Sequence, residues 1–205
     1  MGKQRSTVLI LGDGLTEFFY LQSLRDLFKR ITIEPDYPKH TNMAELEQQI
    51  IQGINKGYDH IFCVIDMDTK EEEPECTQYT KLKAKYTGVI NKPKKGIRCQ
   101  IAFFETHRCT ELFFLYYFHY TSRPYQDQEA LIRELNQYVR YEKKREFFKK
   151  CKGLHTYFEK NGGSLDTAVA NAEHSICERS VSAREYTYSE LGKLIKRLRD
   201  IEMCK

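Results

Sequence analysis

The chain has 205 residues, 40% of them hydrophobic and 30% charged, with 12 Phe and 14 Tyr, which is enough to build a real core in one domain or one domain with a substantial appendage. A net charge of +4 permits an anionic partner without requiring one. Seven cysteines without a CxxC pair exclude paired zinc-ligand spacing, and a chain of this size needs no disulfide framework, so the thiols read as reduced and the protein as cytoplasmic.

The amino-terminal stretch MGKQRSTVLILGDG carries an apolar run too short for a signal peptide or a membrane span, so no membrane partner is expected. Residues 7–11 (TVLIL) form a short β-branched and aliphatic run bounded by Gly12, the pattern of a buried parallel strand. Thr16 to Lys29 follows with apolar residues near helical spacing. Residues 31–34 (ITIE) read as a second strand closed by Pro35 and Pro38. Met43 to Lys56 reads as an amphipathic helix with Leu46, Ile50 and Ile54 on one stripe. His60 to Ile65 gives a third strand that ends in acids. After a charged loop, Arg98 to Phe104 gives a fourth.

Alternating strands and helices with short links predict a parallel, three-layer α/β sheet. Beyond residue 108 the strand signals fade. An apolar helix is expected over 108–120, with further helices around 127–140, 142–160, 164–178 and 188–202. Gly162-Gly163 marks a helix stop, and Ser164 an N-cap. The expected organisation is therefore an α/β domain over 1–120 and a helical extension over 121–205.

The turn after the first strand, Gly12-Asp13-Gly14-Leu15-Thr16-Glu17, allows two chemistries. A dinucleotide fingerprint would need a third glycine where Glu17 stands, and two carboxylates at a helix N-terminus would repel a pyrophosphate. No Gly-Lys-Ser/Thr follows, which removes the P-loop as well. Metal chemistry is the better reading. Asp66 and Asp68 stand at i and i+2 where a buried strand ends, so both carboxylates can face one ion. Oxygen donors of this kind suit Mg²⁺ or Mn²⁺. No serine sits in a nucleophile elbow, and His107 and His119 read as structural histidines.

The pair DGLTE (13–17) and DMD (66–68) resembles the Toprim domain of topoisomerases, bacterial primases and OLD-type nucleases. The stretch THRCTELFFLYYFHY (106–120) further resembles the RloB-like family, a Toprim branch. Cys109, Glu111, Leu112 and Phe118-His119 keep that family's pattern, and Arg108 and Thr110 depart from it. The resemblance implies a Toprim-like Rossmannoid parallel-sheet domain with a carboxyl-terminal helical extension. It further implies a metal-dependent phosphodiesterase acting on RNA, including tRNA, or DNA. Asp13, Asp66, Asp68 and Glu111 would hold Mg²⁺ or Mn²⁺, with Glu17 as a further catalytic acid. Asp13 stands where the family motif normally has Glu.

Family context implies a toxic effector of anti-phage defence beside an ABC-type ATPase partner, and a homodimer stays open. Two basic stretches suit a phosphodiester backbone: Lys92, Lys94, Lys95 and Arg98 in the first, Lys143 and Lys144 in the second. Tyr79 and Tyr86 could stack on bases. The rival expectation is a catalytically degenerate subunit that binds nucleic acid or the ATPase.

Overall fold

The computed structural model describes residues 5–37, 42–68, 70, 72–181 and 187–204. The first four residues and Pro38, expected to close the second strand, lie outside that set. By contacts the chain forms two compact units. The first takes Met1–Val64, Thr69–Phe103 and Leu198–Lys205, and the second Ile65–Asp68 and Phe104–Arg197. These units interleave along the chain, whereas the sequence reading divides it once, at residue 120.

In the first unit, β1 (Ser6–Leu11) pairs in parallel with β2 (Ile31–Asp36), Val8 opposite Ile33. It also pairs in parallel with β3 (His60–Asp66), Leu11 opposite Cys63. Val8, Ile10, Leu11, Ile61, Phe62, Cys63 and Val64 are wholly buried, which is why these strands read as continuous apolar runs. Pro35 does not close β2 but lies within it. The sheet order β2-β1-β3-β5-β4 makes β2 an edge strand, where a missing N–H costs no ladder bond on the open side.

Helix α1 (Leu15–Leu24) is shorter than expected and ends in a 3₁₀ turn, Arg25–Leu27. Helix α2 (Met43–Lys56) has the predicted bounds. Asn42 caps its start by accepting from the Glu45 N–H at 2.8 Å, and Gly57 ends it at φ +82°.

The charged loop expected before the fourth strand is folded. It contains α3 (Glu75–Tyr86) and β4 (Gly88–Lys92), which pairs antiparallel with β5 (Ile97–His107). A two-residue strand, β6 (Tyr188–Ser189), also pairs antiparallel with β5. The sheet is thus parallel across β2-β1-β3 and antiparallel at β4-β5 and β5-β6, a mixed α/β sheet.

The second unit is chiefly helical. The apolar stretch at 108–120 yields only α4 (Glu111–Tyr116), but every residue of it is buried. Next come α5 (Gln128–Leu135), α6 (Arg145–Cys151) and α7 (Leu154–Lys160). The single helix expected over 142–160 is broken where Lys152 and Gly153 take positive φ. Helix α8 (Leu165–Val181) begins after Ser164, whose hydroxyl accepts from the Thr167 N–H at 3.3 Å as the sequence suggests. Helix α9 (Leu191–Met203) follows β6. A Cβ on Gly192 would lie 2.8 Å from Ala172 Cβ, so the glycine allows the start of α9 to approach α8 closely. Phe113, Phe114, Leu131, Leu135, Phe158 and Leu194 are wholly buried in this unit's core.

Candidate functional site

The glycine turn after β1 belongs to the first unit. The Gly12 N–H donates to the Asp36 carbonyl at 2.8 Å, which carries the ladder one step past β1. Glu17, in the first turn of α1, folds back over the turn and is 3% exposed. A Cβ on Gly12 would sit 2.5 Å from Glu17 Cβ, so this glycine makes room for the acid. Asp13 is held by Lys70, whose ammonium donates to Asp13 Oδ2 at 2.6 Å. Lys70 is itself buried, and sequence reasoning does not find it. The only signal in the sequence is a lysine two residues past Asp68.

The acid pair closing β3 belongs to the second unit. The end of β5 and the residues that lead from it into α4 clasp it at two points. The Met67 N–H donates to the Thr106 carbonyl at 3.0 Å, and the Thr110 hydroxyl donates to Asp66 Oδ1 at 2.9 Å. Asp66 is half-buried and Asp68 exposed. Between the clasp points lies Cys109, a wholly buried thiol. Burial, and then the negative charge of Glu111 and Asp66, push its pKa far up. The shift favours the neutral thiol. Asp66 and Glu111 both act on this sulfur, so the structure brings these two candidate acids into one neighbourhood.

Glu111 begins α4 and is wholly buried. Its Oε1 accepts from the Tyr141 hydroxyl at 2.9 Å and its Oε2 from the Gln128 amide at 2.9 Å. Lys143 Nζ stands 3.5 Å from Oε1. Such a set of donors offsets the cost of burying the carboxylate and ties α4 to α5 and to the segment before α6. Lys143, expected on a phosphate, serves this acid, and Lys144 pairs with Glu142 at 3.3 Å.

In the first unit, Lys94, Lys95 and Arg98 are exposed around the Pro93–Lys95 turn, and Lys92 is half-buried. Tyr79 and Tyr86 are not base-stacking platforms. Both are buried, Tyr79 edge-on to Phe103 and Tyr86 donating to Glu47 at 2.8 Å. His107 stacks on Tyr188 and His119 on Tyr138, contacts that suit structural histidines.

Among the described residues, no three side chains of His, Cys, Asp or Glu gather at metal-holding spacing. The end of β3 does present two hard oxygen donors, one of them already oriented by a hydroxyl. That donor chemistry fits Mg²⁺ or Mn²⁺, since Mg²⁺ is commonly held by one or two carboxylates plus water and substrate phosphate. Among the described residues, no helix is long and apolar enough to cross a membrane.

Neither the curated proteins nor the solved structures include a match to this chain. A family model, described as RloB-like protein, matches residues 8–198. With that match spanning both acid motifs and all the helices up to the last turns of α9, the chain belongs to the RloB-like family.

Proposed function

We propose that the protein is a divalent-metal-dependent endonuclease that hydrolyses phosphodiester bonds of RNA, with tRNA among the candidates, or of DNA. One observation carries this reading: β3 ends in Asp66, a half-buried carboxylate oriented by Thr110, and the exposed Asp68 follows two residues later. In open α/β sheets, ligands bind at the carboxyl ends of the strands, where Asp66 stands.

Asp66 and Asp68 would hold Mg²⁺ or Mn²⁺, which when bound supplies Lewis acidity and a water of lowered pKa. Thr110 keeps Asp66 in one orientation, so its second oxygen stays directed. Cys109, buried next to Thr110 in the chain, keeps a neutral thiol there. Glu111 fixes the start of α4, the element that follows Thr110, through Tyr141 and Gln128. Asp13 and Glu17 lie on the turn after β1, where Asp13 is paired with Lys70. The basic Lys92–Arg98 hairpin supplies charge for a nucleic-acid backbone.

By family resemblance the biological role is that of a toxic effector in anti-phage defence, with an ABC-type ATPase as partner. A second reading is a catalytically degenerate subunit that binds nucleic acid or that partner. The ion pair between Lys70 and Asp13 favours it, because a lysine already neutralises one of the expected metal ligands. A cleavage assay on RNA and DNA oligonucleotides with Mg²⁺ or Mn²⁺ separates the two. Cleavage by wild type that Asp66→Ala abolishes supports the nuclease, and equal cleavage by the variant contradicts it.

A further inference from the structure

Lys70 is 6% exposed, and its ammonium lies 2.6 Å from Asp13 Oδ2. A buried ammonium is costly unless it is paired with an acid at short range. Lys70 stands two residues past Asp68, so the segment that carries the acid pair also delivers a cation to the glycine turn, 57 residues away in sequence. A metal ion drawn onto Asp13 would have to take the carboxylate from Lys70, or share it with a second positive charge at close range. Both alternatives oppose ligation.

We propose that Lys70 is the resident cation of the Gly12-Asp13-Gly14 turn. It holds Asp13 as its counter-ion and keeps that carboxylate out of the metal's coordination, leaving Asp66 and Asp68 as the metal pair. This rests on the metal-dependent reading above, and it makes Asp13 and Lys70 positioning residues of the turn.

The test is a Mn²⁺ titration of the full chain by calorimetry, with oligonucleotide cleavage measured in parallel. Asp13→Asn is expected to bind Mn²⁺ within about twofold of wild type, whereas Asp66→Asn weakens binding by roughly tenfold or more. Lys70→Met frees Asp13 and is expected to tighten Mn²⁺ binding about tenfold, or to add a second ion per chain, while Lys70→Arg behaves as wild type. Melting curves report whether each variant folds. Should Lys70→Met not fold, Asp13→Asn and Lys70→Arg still decide the matter.

Loss of Mn²⁺ binding in Asp13→Asn as large as in Asp66→Asn overturns the inference, as does a folded Lys70→Met that binds Mn²⁺ unchanged. The two failures are separable. A wild type that binds Mn²⁺ as expected but cleaves nothing removes the nuclease reading and leaves the role of Lys70 standing. A wild type that cleaves, but whose Mn²⁺ binding depends on Asp13, removes the role of Lys70 and leaves the nuclease.

Discussion

The Thr110 hydroxyl donates a 2.9 Å hydrogen bond to Asp66 Oδ1, joining the residue before α4 to the last residue of β3. Thr110 is wholly buried, so this hydroxyl has no competing solvent. The bond fixes one oxygen of Asp66 and directs the other.

Thr110→Val keeps the shape and removes the donor. Cleavage is expected to fall about 10- to 100-fold, the usual effect of losing a residue that orients a metal ligand. Stability should drop by only about 1 kcal/mol, the net worth of one hydrogen bond. Thr110→Ser should restore most activity. Steady-state kinetics and thermal melts on the same preparations check both parts. Full activity in Thr110→Val would remove Asp66 orientation from the mechanism.

The hairpin between β4 and β5 offers a separate test of nucleic-acid binding. Lys94, Lys95 and Arg98 are exposed there, on either side of the αL residue Gly96. Replacing Lys94 and Lys95 by Ala should weaken oligonucleotide binding. The slope of log K against log salt should shrink by about 0.7 to 0.9 for each phosphate that a lysine no longer neutralises. Fluorescence anisotropy at several salt concentrations measures it. An unchanged slope would place the interface elsewhere.

His155 sets a pH dependence in the second unit. It is buried beneath Tyr117, whose hydroxyl lies 3.0 Å from Nδ1, and burial lowers its pKa below the ordinary 6.5, against the opposing pull of Glu159. Below pH 6.5 the unfolded chain therefore takes up this proton more readily than the folded one. The stability owed to neutral His155 is complete above that pH and is lost as pH falls below it. Melting temperatures between pH 8 and 5 should show this decline, and His155→Gln should be flatter across the same range. Equal slopes in both proteins would contradict it.

How far the sequence reveals this arrangement depends on how each element is buried. Strands β1 and β3 are legible because they are covered on both faces and read as unbroken apolar runs. Helix α2 is legible because it has one apolar stripe and clear caps. Helix α3 and strand β4 are hidden because most of their residues meet solvent. Only Tyr79, Leu82 and Tyr86 of α3 are buried, and in the sequence these look like two aromatics and a leucine scattered through a basic loop. That is why Tyr79 and Tyr86 read as base-stacking residues in the sequence although both belong to the core.

The local acid pair is visible because spacing on a strand makes it so, but what holds the acids is not. Lys70 reaches Asp13, and Tyr141 and Gln128 reach Glu111, across separations of 57, 30 and 17 residues. No periodicity marks such pairings, since other lysines, tyrosines or glutamines of the chain offer the same donors.

Ligation at position 66 is tested most directly by changing the ligand atom. Asp66→Cys replaces a hard oxygen with a soft thiolate, which binds Mg²⁺ poorly and thiophilic ions well. Cleavage is expected to be lost in Mg²⁺ and restored by Mn²⁺ or Cd²⁺, while wild type cleaves in Mg²⁺. Undiminished cleavage by Asp66→Cys in Mg²⁺ alone would contradict a metal held by Asp66.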